Sequence, residues 1–230
     1  AEEIGNTNII EKTLEKFRKI TQWEQPFKIR LEKEIPIGAG LGGGSSDAAT
    51  TLKLLTKIPN SPSITRVELF EIASKLGADV PVCLHGKTTR MQGIGGKLKI
   101  LQPLPRLPIV LVNPNFRLET KNVFMAFNGD FSEPIDSCLL EKPWSQEKLK
   151  DLLTSTQQND LYEAAVSLVP EISEVLTLLR ELPGIIGLGM SGSGATCFAI
   201  FKQGEKAKVN EALRRLNETT WWHKLTYFKP

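Results

Sequence analysis

The chain has 230 residues, 40% of them hydrophobic, enough to bury a core as one large domain or two small ones. Twenty-nine basic residues against 26 acidic ones leave a formal charge of +3. That is too small and too evenly spread for a dedicated nucleic-acid or membrane surface, and it favours small-molecule partners.

Cys83, Cys138 and Cys197 lie far apart and show no CxxC or Cys/His clustering, so neither a disulfide framework nor a zinc site is expected. His85 and His223 are the only histidines, which leaves no His pair for a metal and few candidates for a Ser-His-Asp triad. No apolar run approaches the ~20 residues of a membrane-spanning helix, and the start is acidic and polar rather than signal-like. A soluble protein of a reducing compartment is expected.

In chain order, Ile9, Ile10, Leu14, Phe17 and Ile20 recur at helical spacing, which predicts a helix over Thr7 to Ile20 capped by Thr7 or Asn8. Phe27 to Ile35 alternates apolar and charged residues and predicts a half-buried strand. A glycine-rich loop follows, then a helix from Ser45 to Thr56. Thr65 and Glu68 have capping-box spacing at the start of a further helix, which Gly77 is placed to end. Short β-like runs at Val80 to Leu84, Lys97 to Leu101 and Pro108 to Val112 precede a mostly helical stretch from Thr120 to Leu182. The last third predicts a helix over Glu171 to Leu182, a glycine turn, a strand from Thr196 to Phe201, a helix from Glu205 to Leu216 and a final strand near Lys224 to Phe228. Helices on one face of an antiparallel sheet make an α+β fold, with a composition shift near Pro103 to Pro108 as the domain boundary.

The stretch PIGAGLGGGSSDAA, Pro36 to Ala49, places Gly38, Gly40, Gly42, Gly43 and Gly44 between a predicted strand and a predicted helix. Such a run removes side chains where backbone N–H groups would meet a phosphate, and the helix from Ser45 would aim its positive end into the loop. Ser45 and Ser46 could add hydroxyls, or one could help hold Mg²⁺. The plain alternative is a flexible turn, but five glycines in seven positions waste backbone entropy unless something approaches closely.

Two sharper alternatives fail on the sequence. A Walker A loop ends in Gly-Lys-Ser/Thr, whereas Gly44 is followed by Ser45, Ser46 and Asp47. Gly38, Gly40 and Gly43 satisfy the dinucleotide fingerprint, but Lys53 to Arg66 contains no acidic residue to take a ribose. A second cluster, GLGMSGSGAT from Gly187 to Thr196, precedes a strand instead of following one. It is either a second wall around the same polyphosphate or a tight turn where elements pack closely.

Both glycine loops, in this order, resemble those of the GHMP kinase superfamily. More narrowly, the tripled glycine, then KLGADVPVCLHG (Lys75 to Gly86), GIGGKL (Gly93 to Leu98) and QQNDLYEAA (Gln157 to Ala165) resemble the diphosphocytidyl-methylerythritol kinase family over nearly the whole chain. The resemblance implies a two-domain α+β architecture. Residues 1–104 would be the remainder of a ribosomal-S5-like, ATP-binding N-terminal domain and residues 105–230 a ferredoxin-like C-terminal domain, with the active-site cleft between them. It also implies phosphorylation by ATP, with Mg²⁺ assisting, of the 2-hydroxyl of a cytidine-diphosphate-linked polyol in non-mevalonate isoprenoid synthesis. No nucleic acid, membrane or protein partner is implied, and the expected location is the bacterial cytoplasm, or the plastid stroma in a plant.

The site residues the resemblance implies are Asp79 as catalytic base and Pro36, Ile37, Gly38, Ala39, Gly40, Leu41, Gly42, Gly43, Gly44, Ser45 and Ser46 as the ATP loop. Thr120, Phe124, Gly189, Ser191, Gly192, Ser193 and Gly194 would contact substrate; no metal ligand is assigned. Read without the family, Asp79 is a turn or capping residue after a helix-ending glycine. Phe124, likewise, stacks on a pyrimidine base or packs in a core.

Family members begin with a strand bearing a Lys-Ile-Asn-like motif, and no Lys-x-Asn occurs upstream of the helix at Thr7. The expectation is that the 230 residues alone are nearly inactive, because a lysine and base contacts would be missing together. A silent ATP-binding fragment, another GHMP small-molecule kinase and a dinucleotide-dependent oxidoreductase are the alternatives.

Overall fold

The computed structural model describes residues 8–26, 28–93, 95–129, 131–136, 140–155 and 159–228. They fall into two compact units, one comprising residues up to 32 with 42–101, the other residues 33–41 with 102–230.

In the first unit, α1 (Ile9–Thr21) begins at Asn8, whose side chain accepts a hydrogen bond from the Ile10 N–H. Next, α2 (Gly43–Leu55) starts two residues before the predicted point, so Gly43 and Gly44 belong to its first turn. The helix α3 (Arg66–Leu76) has the predicted capping box in full: the Thr65 hydroxyl accepts from the Glu68 N–H at 3.2 Å, and the Glu68 carboxylate accepts from the Thr65 N–H at 2.8 Å. Gly77 is its C-cap in extended backbone, φ 164°, so the glycine is not there for a left-handed turn.

The predicted strand at Val80 to Leu84 is instead a helix, α4 (Val80–His85). Pro81 stands in its first turn, where a missing N–H leaves no bond unmade and the fixed φ favours a helical start. Phe17, Ala48, Ala49, Leu52, Leu55, Ile72, Ala73 and Val80 form the buried core of these four helices, the two alanines letting α2 approach its neighbours closely. A hairpin not fully predicted, β1 (Thr89–Gln92) with β2 (Lys97–Ile100), completes the unit, pairing Arg90 with Lys99 and Gln92 with Lys97.

The strand predicted over Phe27 to Ile35 does not form: Phe27 lies outside the described residues, and no described strand pairs with 28–35. Alternation fixes which face would be apolar but cannot supply a partner ladder, and Ile29 and Ile35 are exposed.

The second unit is a four-stranded antiparallel sheet of β3 (Pro108–Asn113), β4 (Ile185–Met190), β5 (Cys197–Phe201) and β6 (Trp222–Tyr227), ordered β4-β5-β3-β6. Helices α5 (Thr120–Ala126), α6 (Gln146–Ser155), α7 (Tyr162–Leu168) and α8 (Glu171–Arg180) lie between β3 and β4, and α9 (Lys206–Leu216) between β5 and β6. This β-α-β-β-α-β order is ferredoxin-like, as expected.

Helices cover both faces of this sheet, not the single face predicted. Val110, Val112, Cys197, Ala199 and Phe201 point to a core shared with α7, α8 and α9. The alternate residues Ile109, Leu111, Phe198 and Ile200 pack with Leu149 and Leu153 of α6 and with Trp144. Two buried faces explain why β3 and β5 read as continuous apolar runs.

Candidate active site

The first glycine loop is divided between the two units. Its leading half, Pro36 to Leu41, packs in the second unit, with Gly38 and Gly40 at φ +71° and +70°. The late loop, Ser191 to Thr196, meets it there. The Thr196 N–H donates to the Ala39 carbonyl at 3.3 Å, and the Ser191 hydroxyl donates to the Gly40 carbonyl at 3.0 Å. A Cβ on Gly40 would lie 2.2 Å from the Gly194 carbonyl oxygen and 2.7 Å from that of Ser191. The two glycine clusters singled out in the sequence therefore form one backbone-to-backbone contact that tolerates no side chain.

This contact is braced from below and from the side. Buried Asn113 donates through Nδ2 to the Thr196 hydroxyl at 2.9 Å, while its Oδ1 accepts from the Asn115 N–H. At the loop's entry, the Trp222 indole N–H donates to the Glu34 carbonyl at 3.0 Å, and the Lys224 ammonium pairs with the Glu34 carboxylate at 2.9 Å. The hydrogen bond and the charge of Lys224 hold the Glu34 carboxyl below its ordinary range. None of Asn113, Trp222 or Lys224 carries a sequence signal for this role, since each acts through a strand that pairs 70 or more positions away.

The trailing half, Gly42 to Ser46, belongs to the first unit. Gly42, at φ +64°, is the N-cap of α2 and offers no side-chain cap, and the first turn contains no acidic residue. A Cβ on Gly42 or Gly43 would meet nothing within 4 Å. The first turn of α2 therefore carries no side-chain cap or acidic group that would compete with a phosphate for its N–H groups and positive end.

In the same unit Asp79 occupies the N-cap position of α4, yet its side chain makes no capping bond. Asp79 thus lies in the turn before α4, as its family-free reading has it, but makes no capping bond, and its carboxylate is exposed. The neighbouring backbone is tightly shimmed: a Cβ on Gly95, in the turn between β1 and β2, would lie 2.6 Å from the Ala78 carbonyl oxygen. Cys83, one turn along α4, has its thiol pushed up by burial and by the Asp79 charge. Its carbonyl accepts from Lys53 of α2 at 3.1 Å.

Among the candidates for substrate contact, Thr120 and Ser193 meet hydroxyl to hydroxyl at 2.9 Å. Phe124 is 53% exposed on α5, whose buried residue is Val123, so the core alternative does not hold for Phe124. Gly189 is not in the late loop at all. It lies in β4 opposite Phe198, whose ring would be 3.2 Å from an added Cβ.

Two family models match the chain, the GHMP kinases N terminal domain over residues 8–87 and the GHMP kinases C terminal domain over residues 145–219. The chain belongs to the GHMP kinases. The "4-diphosphocytidyl-2-C-methyl-D-erythritol kinase" of Rhodospirillum rubrum is 42% identical to this GHMP kinase over 195 residues, covering 85% of the chain and 63% of that protein. The protein of the same name from Ruegeria pomeroyi is 41% identical over 203 residues, covering 86% and 70%. The chain thus spans about two thirds of the length of these relatives, and slightly less of the first. A crystal structure of 4-(cytidine 5'-diphospho)-2C-methyl-D-erythritol kinase superposes with a TM-score of 0.72 at 30% identity, covering all of this chain and 81% of that one. The mevalonate kinase of Methanococcus jannaschii, at TM-score 0.67 and 14% identity, shares the fold.

Proposed function

We propose that this GHMP kinase transfers the γ-phosphoryl group of ATP to the 2-hydroxyl of 4-diphosphocytidyl-2-C-methyl-D-erythritol, in the bacterial cytoplasm. The observation that carries the reading is the N-terminus of α2, where Gly42 to Gly44 carry no side chains and the first turn has no acidic residue. The kinase relatives, at about 40% identity, support the same substrate.

In this reading residues Pro36 to Ser46 cradle the nucleotide phosphates through backbone N–H groups, and no lysine is needed in the loop itself. A magnesium ion arriving with ATP needs only one or two protein oxygens, because it keeps waters and phosphate oxygens as its other ligands. The Ser45 and Ser46 hydroxyls at the start of α2 fit that requirement. When bound there, the ion would offset the charge that develops on the phosphates.

Asp79 accepts the proton of the attacking hydroxyl, a role suited to a carboxylate that does not cap its own helix. Thr120, Ser191, Gly192, Ser193 and Gly194 contact the polyol side, and exposed Phe124 offers its ring to the cytosine. Incubating the full-length protein with ATP, Mg²⁺ and the cytidine-linked polyol, and resolving the product by mass, tests the assignment. A monophosphorylated polyol supports it; turnover of a different alcohol, such as mevalonate, with none of this one contradicts it.

A further inference from the structure

Asn159 lies three residues before α7, in a segment to which the phosphate-loop reading gives no task. Its Nδ2 donates to the Met190 carbonyl at 3.2 Å and to the Gly192 carbonyl at 2.6 Å, while its Oδ1 accepts from the Leu161 N–H at 3.0 Å. With an N–H partner on one end and two carbonyls on the other, only one orientation of the amide satisfies all three contacts.

The two carbonyls flank Ser191, the residue whose hydroxyl donates to Gly40. The turn is also closed on itself, with the Gly194 N–H donating to the Ser191 carbonyl and the Ser191 N–H to the Thr196 carbonyl. Asn159 thus ties the Met190–Gly192 side of this turn to the segment leading into α7, while Thr120 of α5 holds its other side through Ser193.

We propose that Asn159 is a positioning residue for the phosphate loop. It holds Met190 to Gly192 so that Ser191 keeps its bond to Gly40 and the backbone of Gly38 to Leu41 stays set for the nucleotide. This role rests on the ATP-loop reading above. The bond from Oδ1 to Leu161 is a local turn that an aspartate makes equally well, whereas the two donor bonds require the amide.

Asn159→Asp therefore separates the two tasks: it keeps the turn before α7 and sets a carboxylate against two carbonyl oxygens. In the full-length protein, Asn159→Asp and Asn159→Ala, checked for folding by thermal melting, are compared with wild type in equilibrium ATP binding and steady-state kinetics. The expected result is an ATP KM and Kd raised on the order of tenfold, with kcat at saturating ATP changed much less. Adding Ser191→Ala to Asn159→Asp should cause little further loss of ATP affinity, because both act on the nucleotide through the bond to Gly40. Unchanged ATP affinity in either folded variant, or fully additive losses, would overturn the proposal. A wild-type protein that binds no ATP would instead overturn the ATP-loop reading, and this role with it.

Discussion

The α-carbon of Gly40 faces the carbonyl of Gly194 so closely that a single added carbon would sit 2.2 Å from the oxygen. Two glycine clusters separated by about 150 residues are thereby made one structure, and each constrains the other. Gly40→Ala must push the late loop away or abandon φ +70°, and should lower stability by about 1–3 kcal/mol as well as ATP affinity. Gly43→Ala is the contrast. It is helical with open space before it, so the free protein should be as stable as wild type or slightly more so. Its ATP affinity should nevertheless fall at least tenfold if phosphate fills that space. Denaturation and ATP titration of both variants check the pair.

Gly95 should matter to catalysis although no site residue is assigned to its hairpin. A Cβ there meets the Ala78 carbonyl at 2.6 Å with φ at +83°, and the displaced residue precedes Asp79. In the full-length protein Gly95→Ala is expected to lower kcat by roughly tenfold or more while ATP affinity changes little, since a small misplacement of a reacting group is costly. Equal losses in binding and turnover would point to general unfolding of the unit instead.

The Thr65–Glu68 capping box gives a pH prediction. Hydrogen bonds from the Thr65 N–H and hydroxyl lower the Glu68 pKa, so its contribution is fully present above the ordinary glutamate value of ~4.3. It fades as pH falls through the depressed folded value. Thr65→Ala should therefore lower Tm by a few degrees at neutral pH, and the difference from wild type should shrink under acid conditions below that value. Thermal melts across that range measure it.

Cys197 is buried beneath α8, and burial pushes its thiol up to about 12. It should resist alkylation at pH 8 while the protein stays folded and become modified on denaturation. Cys83, only partly buried, should react first of these two, though slowly because its own pKa is raised. Peptide mapping after timed iodoacetamide treatment distinguishes the two sites.

Features carried by local chemistry were legible in the sequence: the Thr65 capping box, the Asn8 cap, the apolar runs of β3 and β5 and both glycine loops. Features that depend on distant partners were not. Gly187 and Gly189 weaken the strand pattern of β4, so the sequence predicts only a glycine turn there. Close approach accounts for Gly187, where an added Cβ would strike Leu153 of α6, and to a lesser degree for Gly189, where it would crowd the Phe198 ring at 3.2 Å. The run Val80 to Leu84 is too short for periodicity to decide, and Pro81 favoured the helix. That residues 33–41 join the second unit rests on Glu34, Ala39 and Gly40 bonding to Trp222, Lys224, Thr196 and Ser191, pairings no spacing rule could supply.

Asp79→Asn in the full-length protein tests the central claim most directly, because it removes the proposed base and keeps the shape of the side chain. The account predicts that ATP and the cytidine-linked polyol still bind with near wild-type affinity while phosphoryl transfer falls on the order of 10²-fold or more. Turnover at the wild-type rate with binding intact would contradict it.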